Sequence, residues 1–138
     1  MLRSFSILFV LTALLPNLGS ADPFAPIKAN PSKVDVEWVF DIKQDDTDTP
    51  RGKVFLVVNT RKILLRRAVV GNYSVVDRAE YKDRGIPNAA ITACSGWWAG
   101  SGEILYVIRR RSQLFVYIRY LDEGVSHSSN RRLKTIQL

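Results

Sequence analysis

The sequence predicts an α+β domain that is mainly β: an antiparallel sheet of five or six strands carrying one or two short helices. Three observations carry that prediction. Val34, Val36, Trp38, Phe40 and Ile42 alternate with Asp35, Glu37, Val39 and Asp41, the period of two that gives a strand one buried and one wet face. Residues 104–109 and 114–120 are two apolar, β-branched and aromatic runs joined by a short polar connection, the pattern of a hairpin. Polar clusters such as QDDTDTPRG at 44–52 and GVSHSSN at 124–130 punctuate the chain, and no internal repeat is visible. With 138 residues, 46% hydrophobic and 24% charged, the composition suits one hydrophobic core and excludes collagenous, coiled-coil and extensively disordered chains.

The elements follow in order. Residues 1–21 have the three parts of a secretory signal peptide: Arg3, the uncharged run FSILFVLTALL at 5–15, and small residues at Gly19-Ser20-Ala21. Eleven apolar residues are too few for a membrane-spanning helix, which needs about 20. The sequence therefore predicts export, periplasmic or extracellular, after cleavage near Ala21, with an uncleaved anchor as the alternative. Residues 22–32 (DPFAPIKANPS) hold three prolines without periodicity and read as a leader or linker. Residues 33–138 then form the single β-rich domain.

Within that domain the first strand is expected at 34–42. A hairpin follows from 54–59 and 63–70, and Gly71-Asn72 marks a turn. Asp77 with Glu80 three residues later suggests a capping box opening a short helix, and Gly85 suggests its end. Residues 88–94 fit either a helical turn or a strand. The hairpin 104–109 and 114–120 comes next, with Ile104, Tyr106 and Ile108 on one face, and residues 133–138 complete the sheet.

Function is encoded less directly. The segment ACSGWWAGSGE at 93–103 places Trp97 and Trp98 among small residues. On a strand the two rings must point to opposite faces, and Gly96, Gly100 and Gly102 clear space for a ligand ring. The competing view is that both rings plug the core and the glycines serve turns. Basic residues cluster at Arg61-Lys62 with Arg66-Arg67, at Arg109-Arg110-Arg111 and at Arg131-Arg132 with Lys134, within a net charge of +7. If the hairpins point the same way, one end of the sheet attracts anionic polymers; otherwise the charges protect sheet edges. The ligand-binding candidates are therefore Trp97, Trp98, Arg109, Arg110 and Arg111, with Tyr106 and Tyr117 extending the platform if they share its face.

The favoured function is an exported, non-catalytic binding module that recognises an anionic polymer, a glycan or a protein. Contact with a membrane surface is a further option, and nucleic acid is disfavoured as a partner. A structural or interaction subunit is a blander alternative. The enzymatic alternative is a small hydrolase pairing Cys94 with His127, since these are the sole thiol and imidazole. That pair is also too sparse for a conventional metal site, so neither metal nor cofactor is expected. The carboxylates Asp41, Asp45, Asp46 and Asp48 lack the spacing of a calcium loop and read as a solvated acidic turn.

Overall fold

The computed structural model describes residues 33–122 and 129–138, which belong to one compact unit, Lys33–Leu138. Residues 1–32, with the expected signal and leader, and His127 lie outside the described residues. The chain is mainly β, but it builds two antiparallel sheets instead of one. Strands β1 (Val36–Gln44), β2 (Pro50–Val58) and β3 (Arg61–Val70) form a three-stranded sheet. Strands β4 (Asn72–Val75), β5 (Ala90–Trp98), β6 (Ser101–Arg110), β7 (Gln113–Asp122) and β8 (Arg131–Gln137) form a five-stranded one. Every strand pairs with its sequence neighbour except across the β3–β4 step, where Gly71 at φ 143° carries the chain from one sheet to the other. The Gly71 N–H is held there by the Pro50 carbonyl. A side chain at this position would crowd the Trp97 backbone nitrogen at 3.2 Å.

The expected short helix shrinks to a three-residue 3-10 turn, Arg78–Glu80, and Asp77 makes no side-chain capping bond. Nothing apolar repeats at helical spacing there, and the segment is fastened instead by arginines. Arg78 donates to the carbonyls of Asn88 and Ala90, and Arg119 from β7 donates to those of Arg84 and Gly85. Among the described residues no helix is long and apolar enough to cross a membrane.

The sheets pack face to face over Trp38, Val54, Leu56 and Val58 from one side and Leu105, Val107, Val116 and Ile118 from the other. Burying an aliphatic side chain of this kind contributes about 1.5–3 kcal/mol. Trp38 also ties the sheets together, its indole N–H donating to the Thr92 hydroxyl at 2.8 Å. A second core lies on the opposite face of the larger sheet, where Val76, Tyr81 and Ile86 of the 76–89 segment cover Ala90, Ala93, Ile104 and Tyr106. The middle of the five-stranded sheet is therefore buried on both faces. Its odd-numbered β6 residues (Glu103, Leu105, Val107) share one face, and the even ones (Ile104, Tyr106) share the other.

Candidate functional site

The three-stranded sheet does not cover the larger one completely. At the end of the sandwich where β5 turns into β6, a cleft of about 390 Å³ opens between β3 on one wall and β5, β6 and β7 on the other. Arg66 and Val70 of β3, Trp98, Glu103 and Tyr120 border it, and Tyr73 of β4 lies at its back. Val70, Trp98 and Tyr120 are among the large apolar residues the fold leaves exposed, at 41%, 37% and 40%. Such residues normally scatter singly, so their convergence on one concavity marks it out.

At the base of the cleft is an ion pair. Glu103 falls on the inward face of β6 and is 6% exposed, the sole buried charged residue described. Arg66 reaches it from the facing sheet with a bidentate grip, Nε to Oε2 at 3.0 Å and Nη2 to Oε1 at 2.9 Å. The Tyr73 hydroxyl donates to the same carboxylate. Burial pushes the Tyr73 phenol well above its ordinary range, and the charge and hydrogen bond of Glu103 push it further. Burial opposes the charge on Arg66, but the Glu103 bonds outweigh it and hold the guanidinium more firmly protonated than usual. Among the described lining residues the cleft thus carries one cation and one anion, and the two are paired.

Glycine shapes the site differently from the sequence expectation. Tyr73 pairs directly across from Gly96, and a Cβ on Gly96 would lie 2.3 Å from the Tyr73 ring. On the opposite face Trp97 pairs with Gly102, where a Cβ would lie 2.4 Å from the indole. The space cleared by these two glycines is filled by the chain's own rings, which packs aromatic surface onto bare backbone. Gly100 instead closes the β5–β6 turn with Ala99, both at positive φ, 85° and 54°.

The two tryptophans point to opposite faces, as strand geometry requires. Trp98 borders the inter-sheet cleft, whereas Trp97, 46% exposed, borders a separate, more polar hollow with Arg84, Ser95 and Leu121. Tyr106 and Tyr117 do not extend the Trp98 surface. They stack on each other at 5.2 Å on the far face of the sheet, with Tyr106 buried at 3% exposure. Arg109, Arg110 and Arg111 are not brought to the tryptophans either. They occupy the β6–β7 tip, at the other end of a ten-residue strand from Ser101, which pairs with Trp98. At about 3.3 Å per residue that is roughly 30 Å away.

Cys94 is fully buried in the inter-sheet core, and burial, reinforced by the nearby Glu103 charge, pushes its thiol well above the ordinary range. A nucleophilic cysteine needs access and a lowered pKa, so the hydrolase alternative loses its nucleophile. The acidic turn is internally organised: Asp45 accepts bonds from the Thr47 hydroxyl and amide, the Thr49 amide and Arg51, which hold its carboxyl far below the usual range. Among the described residues no group of His, Cys, Asp or Glu is placed to hold a metal ion. Sequence reasoning missed Arg66, Tyr73, Glu103 and Tyr120 as one group, because Arg66 and Glu103 lie 37 residues apart. The chain matches no family model, and comparison with curated proteins and with solved structures returns no match.

Proposed function

We propose that the chain is an exported, non-catalytic binding module whose inter-sheet cleft takes a neutral saccharide. The observation that carries this reading is the exposed Trp98 ring at the border of a cleft whose two charged lining residues among those described, Arg66 and Glu103, are paired. An anion would meet a guanidinium already committed to a carboxylate, and a cation would meet the reverse. A sugar ring suits such walls. Its C–H face stacks on Trp98 or Tyr120, and its hydroxyls exchange hydrogen bonds with groups at the cleft margin. Export rests on the signal-like residues 1–21 and is tested by sequencing the amino terminus of protein recovered outside the cytoplasm.

The binding test is a titration followed by tryptophan fluorescence and calorimetry, with neutral oligosaccharides and their sulfated or uronic-acid counterparts. Trp98→Ala should weaken retention of the neutral ligand by roughly tenfold or more, about 1.4 kcal/mol. Trp97→Ala, on the other face, should leave it unchanged. Equal losses in both variants, or tighter binding of the acidic series, would remove the neutral-saccharide reading.

A further inference from the structure

The end of the sandwich away from the cleft has its own chemistry. Two hairpin tips meet there. Arg61, just after the β2–β3 turn, donates to the Gln137 carbonyl, and Gln137 pairs with Gln113 beside the β6–β7 turn. The Leu138 amide donates to the Ser112 carbonyl within that turn. This contact chain brings Arg61 and Lys62 to the same end as Arg109, Arg110 and Arg111, the arrangement that aligned hairpins would produce. Lys62, Arg110 and Arg111 are all exposed. Asp35, bonded to Asn59, and Glu37, paired with Val57, lie beside the β2–β3 tip, and two carboxylates only partly offset the five cations. The acidic turn of Asp45, Asp46 and Asp48 lies at the opposite end, beside the junction at Pro50 and Gly71.

The chain also enters the domain at the basic end. The Asp35 amide donates to the Asn59 side-chain carbonyl and the Asn59 amide donates back to the Asp35 carbonyl, which fixes the start of the domain against the β2–β3 tip. Lys33 lies two residues before Asp35 and adds a further cation to the start of the described domain.

We propose that this basic end docks the domain onto an anionic lipid surface, leaving the Trp98 cleft directed away from it. Lipid is favoured over a soluble polyanion because the cations come from two separate tips at one end of the molecule, and the chain's amino-terminal side emerges among them. The proposal does not depend on what the cleft binds.

The experiment is co-sedimentation of the chain, as its host processes it, with phosphatidylcholine vesicles containing increasing phosphatidylglycerol. Binding should grow with the acidic fraction and fall with salt. Replacing Lys62, Arg110 and Arg111 together by Gln should lower partitioning roughly 100-fold, since each basic residue at an acidic surface is worth about a factor of five. The swap Lys62→Arg, Arg110→Lys and Arg111→Lys should preserve it. A control with the same loss of charge at the other end, Lys43→Gln, Lys53→Gln and Arg67→Gln, should bind like wild type, as should Trp98→Ala. Equal loss in the two Gln triples would overturn the proposal, because net charge alone would then explain binding. So would equal binding to neutral vesicles, or retention on a soluble acidic polysaccharide with none on acidic vesicles.

Discussion

Replacing Arg66 and Glu103 by Met, singly and together, tests whether the base of the cleft is held by one coupled ion pair. The Glu103 side chain is 8% exposed and that of Arg66 is 25% exposed. Breaking a fully buried pair costs about 3–5 kcal/mol, because the survivor is left charged without compensation. In Arg66→Met the nearly buried carboxylate keeps only the Tyr73 hydroxyl, so about 3 kcal/mol is expected. In Glu103→Met the guanidinium keeps partial access to water, which reduces its share to about 2 kcal/mol. The orphaned Tyr73 hydroxyl adds about 1 kcal/mol.

The double variant removes both charges, and two methionines fill much of the space, so the loss should be only about 1–2 kcal/mol, well below the sum of the singles. Urea denaturation with a shared m-value measures all four proteins. Thermal melts should show each single variant lower by at least about 10 °C, given roughly 4–8 °C per kcal/mol for a small domain. If the double variant instead loses the sum of the singles to within about 0.5 kcal/mol, the two residues are energetically independent and the ion-pair account fails.

Three further outcomes follow from the same geometry. Cys94, Tyr73, Tyr81 and Tyr106 all have pKa values raised by burial, so folding favours their neutral, protonated forms. Their contribution is fully present below the unfolded values, about 8.5 for Cys and about 10 for Tyr, and is lost as pH rises beyond them. Melts across alkaline pH should therefore decline from about pH 8.5, and Cys94→Ala should delay that decline towards about pH 10; an unchanged onset would exclude the thiol as its source. Gly96→Ala places a methyl against the Tyr73 ring and should destabilise by about 1–3 kcal/mol, with the Tyr73 ring signals shifted in NMR spectra; a neutral effect would mean that the ring moves aside freely. Ala99→Gly relieves a side chain at φ 54° and should stabilise by about 1 kcal/mol in urea denaturation, whereas destabilisation would count against strain in this turn.

The alternating first strand and the long apolar or β-branched arms of the two hairpins were legible, and the strands β4 and β5 were not. The alternation expected over residues 34–42 is realised in β1, and both anticipated hairpins form with two-residue turns. Strand β5 was ambiguous because its residues Ala90, Ala93, Cys94 and Gly96 are buried on opposite faces, which erases the polar phase that signals a strand. Strand β4 is four residues long and follows Gly71, so its sequence looks like part of the turn. Division into two sheets depends on the single residue Gly71 redirecting the chain, and local periodicity carries no information about that redirection.

One signal for the site was present in the sequence, in the phase of β6. Grouping Ile104, Tyr106 and Ile108 as the apolar face left Glu103 on what looked like the wet side. Yet Leu105 and Val107 share the phase of Glu103 and are just as apolar, so the run is hydrophobic on both faces and Glu103 falls in line with a core row. A carboxylate in such a row requires a cationic or hydrogen-bonding partner from an element packed against it. Arg66, directly after the apolar stretch Ile63-Leu64-Leu65, meets the same requirement from the other side. The sequence therefore shows that each residue needs a partner, while only the sheet packing shows that they need each other. The same logic separates Trp97 from Trp98. Alternation dictates that they face apart, but the partial overlap of a three-stranded sheet on a five-stranded one decides that Trp98 borders the open cleft.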